Sequence, residues 1–208
     1  YELAPAFEPD VLAELFSETE NTRVQRALRV NVRTPDPFID AAVAAINIGV
    51  DAVWDEPTGT VMHGAVAWRS RLLGWRGGYS PDAFGWHDRA RRHFSYWPTQ
   101  MRDTPDPAEM PPHDPEAHLA RNEPGLCTTG AMSFNHYDMN AVFIDALFRH
   151  LMWTGDLEFA HEVWPTIEKH LAWERRLFRR PFGERGGDPL YEAYAMIWAS
   201  DDLQYNGG

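Results

Sequence analysis

Through most of this chain apolar residues recur every three or four positions, the spacing of a helix with one buried face. Asp36-Pro37 supplies an N-cap and a first-turn proline, and Phe38, Ala42, Ala45, Ile46, Val50 and Val53 follow at helical intervals. Ser80-Pro81-Asp82 opens a second helix by the same chemistry, predicted to run to about Tyr96 and to stop at Pro98. Asn135 caps a third, with Asp138 in its first turn and a buried stripe of Val142, Phe143, Ala146, Leu147 and Leu151. Thr154-Gly155-Asp156 ends that helix and starts the next, the glycine supplying a left-handed turn and the aspartate a new cap. The fourth helix carries Phe159, Val163, Ile167, Leu171 and Trp173, so the last two are expected to form a tight antiparallel αα-hairpin.

The N-terminus departs from this pattern. Val11, Leu12, Leu15 and Phe16 mark a short helix over 9–20, and then the period changes. Between Arg23 and Arg33, Leu28, Val30 and Val32 alternate with Arg29, Asn31 and Arg33, which predicts a half-exposed strand. A lone strand needs a partner from a neighbouring element or from further sequence. Residues 1–34 are therefore read as an N-terminal helix and strand segment, and 35–208 as a helical body. Long polar stretches rich in Pro and Gly separate the helices at 55–80, 101–134 and 180–208, and loops of that length are commonly functional.

Composition narrows the candidate chemistry. The 208 residues carry 19 basic and 31 acidic side chains, a net charge of −12 that argues against a nucleic-acid or anionic-membrane partner. No apolar run is long enough to span a bilayer. A single cysteine, Cys127, excludes an internal disulfide and reads as a small buried residue. The chain opens on Tyr1, which suggests a processed, trimmed or partial polypeptide whose export signal has been lost.

Two stretches concentrate reactive groups. The first runs from Gly186 to Gly208, where Asp188, Glu192, Asp201 and Asp202 lie among Tyr191, Tyr194, Trp198, Gln204, Tyr205 and Asn206. Carboxyl groups to move protons, aromatic faces for sugar C–H surfaces and amides for hydroxyls suit acid–base work on an uncharged polyhydroxylated substrate. The second spans 54–88, with Trp54, Glu56, His63, Arg69, Trp75, Arg76, Trp86 and His87. Arg69 and Arg71 here are read evenly as ligand-binding groups or as braces against Asp55 or Glu56. The nine histidines show no metal-ligand spacing, and there is no nucleophile elbow, dinucleotide fingerprint or P-loop, so no metal and no cofactor are expected.

The segment Asn140 to Trp173, with Trp153-Thr154-Gly155-Asp156 at its turn, resembles the six-hairpin glycosidases, whose helices form an (α/α)6 barrel. Asp188 to Gly208 resembles the loop that follows in these enzymes. Arg69, Leu73, Gly74, Trp75 and Gly77 match the α-L-rhamnosidase motif RDERLGWTGD, whereas Ser70, Arg71 and Gly78 replace its acidic residues. The family's catalytic acid therefore does not carry over to this position, which implies a different branch. A closed barrel of twelve helices needs well over ~300 residues, so this chain is expected to form only part of one, with the remainder supplied by sequence outside it.

The expected fold is all-α: αα-hairpins of an incomplete (α/α)6 barrel, with a short strand near the N-terminus. The resemblance implies a glycoside hydrolase acting on a poly- or oligosaccharide by inverting paired-carboxylate catalysis, in which the two groups stand ~6.5–9.5 Å apart. Candidate catalytic residues are Asp201, Asp202, Glu192 and Glu56. Candidate substrate-binding residues are His63, Arg69, Trp75, Arg76, Trp86, His87, Trp198, Gln204, Tyr205 and Asn206. A sugar epimerase or polysaccharide lyase on the same barrel, and a non-catalytic carbohydrate-binding helical module, remain alternatives. The expected partner is a carbohydrate, with neither nucleic acid nor membrane, in a periplasmic or extracellular setting with a cytoplasmic one left open.

Overall fold

The computed structural model describes residues 9–66, 69–71, 73, 76–101, 127, 137–182 and 187–191. It is mostly helical, and its contacts divide the chain into two compact units, Tyr1–Val53 and Trp54–Gly208. The division falls after the helix that follows Asp36, whereas the sequence reading placed a boundary at 34/35, ahead of it.

In the first unit α1 (Pro9–Ala27) packs against α2 (Pro37–Ala52). Asp36 caps α2, its carboxylate accepting from the Phe38 N–H at 2.8 Å, and Pro37 occupies the first turn as predicted. The predicted strand over 23–33 is not formed. α1 continues to Ala27, and turn and irregular backbone follow it. Local alternation yielded to a tertiary contact from Asn47, the one fully buried side chain of α2. Its amide donates to the carbonyls of Ala27 and Val30 at 2.9 and 2.7 Å, and its Oδ1 accepts from the Val30 N–H at 3.0 Å. These bonds satisfy backbone groups released where α1 ends, so Asn47 fixes both the stop and the turn. Arg26 and Asp51 close the same end of the pair at 2.7 Å.

The second unit begins with a hairpin, β1 (Trp54–Asp55) and β2 (Thr60–Val61), in antiparallel register Trp54↔Val61. A 3-10 turn over Arg76–Tyr79 leads into α3 (Ser80–Ala83). The single helix predicted from Ser80 to Tyr96 is interrupted by Gly85, whose φ of 70° belongs to the left-handed region that glycine adopts without strain. α4 (His87–Tyr96) resumes after it, and Pro98 sits in the 3-10 turn that ends it.

α5 (Tyr137–Thr154) and α6 (Leu157–Phe178) form the predicted hairpin. Gly155 turns the chain at φ 65°, and Asp156 caps α6 by accepting from the Phe159 N–H at 2.9 Å. A second hairpin follows, β3 (Arg179–Phe182) with β4 (Gly187–Tyr191), within what was read as loop. The core lies where α4 meets the α5–α6 pair: Phe94, Phe143, Leu147, Phe159, Val163 and Ile167 are almost wholly buried. Cys127 is buried there too, as the sequence suggested, and burial pushes its thiol up to about 12.

Candidate functional site

The short α3 carries a buried carboxylate, Asp82. Each of its oxygens meets an imidazole from a different helix. Its Oδ1 lies 2.7 Å from Nδ1 of His87 on α4, and its Oδ2 lies 2.8 Å from Nδ1 of His150 on α5. A carboxylate has no proton to give, so each Nδ1 carries the hydrogen. His150 is sealed between the rings of Phe94 and Phe159, at centroid distances of 5.2 and 5.6 Å. His87, by contrast, keeps 48% of its side chain exposed.

Asp82 also lines a cavity of about 320 Å³ with Gly78, Tyr79, Ala146, Arg149, Met152 and Trp153. Trp153 is 62% exposed, an indole standing out from the last turn of α5. The Tyr79 hydroxyl donates to Asp145 at 2.7 Å, and Arg149 donates its Nε to the same oxygen at 2.9 Å while its guanidinium covers the Tyr79 ring. Burial, followed by the Asp145 carboxylate, raises the Tyr79 phenol to about 12, so it stays a hydrogen-bond donor at physiological pH. Asp145 is held below the ordinary carboxylate range by the Tyr79 and Arg149 bonds, against the opposing effect of its partial burial. The cavity thus joins a buried anion, a phenol, a guanidinium and an indole.

The second cluster surrounds the β1–β2 hairpin, and it accounts for several candidates from the 54–88 stretch. Glu56 accepts from Trp54 Nε1 at 2.6 Å through one oxygen and from Arg92 through the other. Those two bonds, the Arg92 bond first, lower its pKa, so Glu56 is an anion with both oxygens engaged and is unsuited to the role of general acid. Arg69 donates to Asp55 at 3.0 Å and to the carbonyls of Trp54 and Ala65 at 3.1 Å each, which realises the bracing alternative. Asp55 is held low mainly by its bond to the Thr58 hydroxyl, with Arg69 adding to it. The His63 N–H donates to the Ser70 carbonyl at 2.8 Å, tying the loop across its base.

Trp86 is 9% exposed, its ring stacked near Phe84 and covered by the Arg89 guanidinium at 4.7 Å, so it packs inward and offers no sugar platform. The Arg89 guanidinium also lies 5.4 Å from the Trp54 ring, which links Trp86 to the hairpin cluster through one cation. Of the sequence candidates, then, Glu56, Arg69 and Trp86 gather around the hairpin, and His87 belongs to the Asp82 cluster. Arg76 begins the 3-10 turn that leads to Tyr79. Trp75, Glu192, Trp198, Asp201, Asp202, Gln204, Tyr205 and Asn206 lie outside the described residues.

Asp82, His150, Tyr79, Arg149 and Trp153 were not singled out as site residues. A signal existed for His150: Phe143, Leu147 and His150 fall at i, i+4 and i+7, which places an imidazole on a buried stripe where it needs a polar partner. That the partner is Asp82, 68 positions away, has no local signature. No group of three or more His, Cys, Asp or Glu side chains suited to a metal ion occurs among the described residues. Comparison with protein-family models, with curated proteins and with solved structures finds no match.

Proposed function

We propose that this chain is a carbohydrate-active enzyme that hydrolyses a glycosidic bond by general acid/base catalysis, with a sugar residue bound in the cavity between α3 and α5. The observation that carries this reading is the cavity's lining. Its volume of about 320 Å³ sits at the small end of ligand pockets, which run from roughly 300 Å³ upward, and suits a single sugar ring. The exposed Trp153 face offers a surface for sugar C–H groups, while the Tyr79 oxygen can accept from a ring hydroxyl and the terminal guanidinium N–H groups of Arg149 can donate to one. The α5–α6 pair, an antiparallel helical hairpin, is one unit of the (α/α)6 arrangement proposed for the whole enzyme. The leaving-group acid in this proposal is Asp201.

The test is product analysis. The full chain, incubated with a panel of oligosaccharides and polysaccharides, is expected to release new reducing ends without the ultraviolet absorbance of an unsaturated sugar. An unsaturated product reassigns the chemistry to a lyase, and interconversion of free sugars without cleavage reassigns it to an epimerase. Sugar binding by calorimetry with no turnover leaves a binding module.

A further inference from the structure

A sugar-sized cavity discriminates strongly only where a fixed polar group meets a hydroxyl, because apolar walls accept most rings of the right size. Among the described residues that line the cavity between α3 and α5, one carboxylate is present, Asp82. His87 donates to its Oδ1 at 2.7 Å and His150 to its Oδ2 at 2.8 Å. An ionised carboxylate offers about four lone-pair sites, so a single imidazole on each oxygen leaves acceptor capacity on both. The side chain keeps 8% of its surface accessible, so it is not sealed into the core. Asp145, the acid one turn before Arg149, is committed elsewhere: its Oδ2 takes both the Tyr79 hydroxyl and Arg149 Nε, and it does not line the cavity.

We propose that Asp82 is the specificity-determining acceptor of this cavity, taking a hydrogen bond from one hydroxyl of an uncharged sugar and turning away sugars that carry a carboxylate. This assignment rests on the placement of a sugar in the cavity under the reading above, and it names the substrate class within that reading. The acceptor is fixed before the sugar arrives. Asp82 cannot turn without breaking its bond to His150, whose ring is packed between those of Phe94 and Phe159. A group already held in place loses little freedom when the ligand binds, so more of the hydrogen bond appears as affinity. A uronate would bring a second negative charge up to Asp82. Arg149, the cation of the lining, already shares its charge with Asp145, so it offsets little of that repulsion.

His150 supplies a built-in reporter of this bond. It is 2% exposed and does not line the cavity, so a sugar bound there does not touch it. Its Nδ1–H nevertheless bonds to the same carboxylate. A hydroxyl that donates to Asp82 draws electron density from that carboxylate, weakens the bond from His150 and moves the resonance of its ring proton. A sugar held by stacking on Trp153 alone leaves that resonance where it was.

The test uses the full chain at about pH 8 with the methyl glycosides of glucose, galactose and mannose, their monodeoxy forms and the corresponding uronides. Calorimetry is expected to show one neutral glycoside binding best, with its uronide at least about tenfold weaker. Removal of one particular hydroxyl is expected to weaken binding by about tenfold to a hundredfold, the worth of a hydrogen bond to a charged acceptor. Proton NMR is expected to show the His150 Nδ1–H resonance shifting as the glycoside saturates, and staying put with the deoxy form that binds weakly. In Asp82→Asn, checked for folding by circular dichroism, the gap between glycoside and uronide is expected to close. Binding that no deoxy substitution weakens, a His150 resonance unmoved at saturation, or a uronide that binds as well as its neutral partner overturns the role of Asp82. The first two are read on the wild-type chain, so they decide even where Asp82→Asn does not fold. Each of these failures leaves hydrolysis, and with it the glycosidase reading, standing. Binding with the expected pattern but no hydrolysis of any oligosaccharide overturns the glycosidase reading and keeps Asp82 as the acceptor of a binding module. Absence of binding by every glycoside overturns the placement of the sugar and the role of Asp82 together.

Discussion

His93 offers a quantitative test of the packing. It lies on the buried face of α4, 1% exposed, with its Nδ1 accepting from the Val61 N–H at 3.1 Å. Phe94, Trp97 and Phe143 surround the ring at centroid distances of 5.4, 6.4 and 6.3 Å. Burial lowers its pKa from 6.5 to about 4, with the Leu73 backbone acting weakly in the other direction. The unfolded chain therefore takes up a proton first. The stability held by neutral His93 is complete above about pH 6.5 and is lost as pH falls toward about 4, for a total of about 3 kcal/mol. Between about pH 7.5 and about pH 5 the expected loss from this one group is about 2 kcal/mol. Urea denaturation at the two pH values, on wild type and on His93→Gln, isolates it. Gln can still accept from Val61 but does not titrate, so the variant is expected to lose about 2 kcal/mol less than wild type over the interval, whatever its stability at neutral pH. Equal losses in the two proteins would refute the claim that His93 is buried neutral in the core.

The other predictions concern single contacts. Asn47→Ala removes three hydrogen bonds to backbone groups at the end of α1 and is expected to cost about 2–4 kcal/mol, judged from unsatisfied buried groups, read as early loss of helical signal on heating. Trp153→Ala is expected to leave stability unchanged, because the ring is largely exposed, but to weaken sugar binding by about 1–3 kcal/mol in calorimetry. Asp201→Asn is expected to abolish turnover with binding nearly intact, because an acid contributes only as its proton moves, and Asp202→Asn to be milder. Full activity in both aspartate variants moves the acid elsewhere.

What the sequence disclosed was local. The Asp36-Pro37 cap, the Gly155-Asp156 joint and the buried stripe of α5 depend on residues within a few positions of one another, and the helices stand where those signals put them. Alternation over 23–33 had the period of a strand, yet Asn47, far along the chain, ended a helix there instead. The 54–61 hairpin escaped notice because two residues on each side are too few to show any period, and the side chains that clasp it, Trp54, Glu56, Arg69 and Arg92, come from separate stretches of the chain. His87 was legible as a candidate from its place in an aromatic, polar stretch. Its orientation was not, since that depends on a carboxylate and a second imidazole brought together by the packing of α3, α4 and α5. The arginines illustrate the same limit: charge and spacing named Arg69, and only its three acceptors show that it braces the loop.

The most direct test of the central claim is the configuration of the first product. Proton NMR of the full chain acting on an oligosaccharide of known anomeric configuration follows the new anomeric signal before mutarotation erases it. Acid/base hydrolysis by direct attack of water predicts that the opposite anomer appears first. Initial release of the same anomer, or no new anomeric signal from any oligosaccharide tried, contradicts the account.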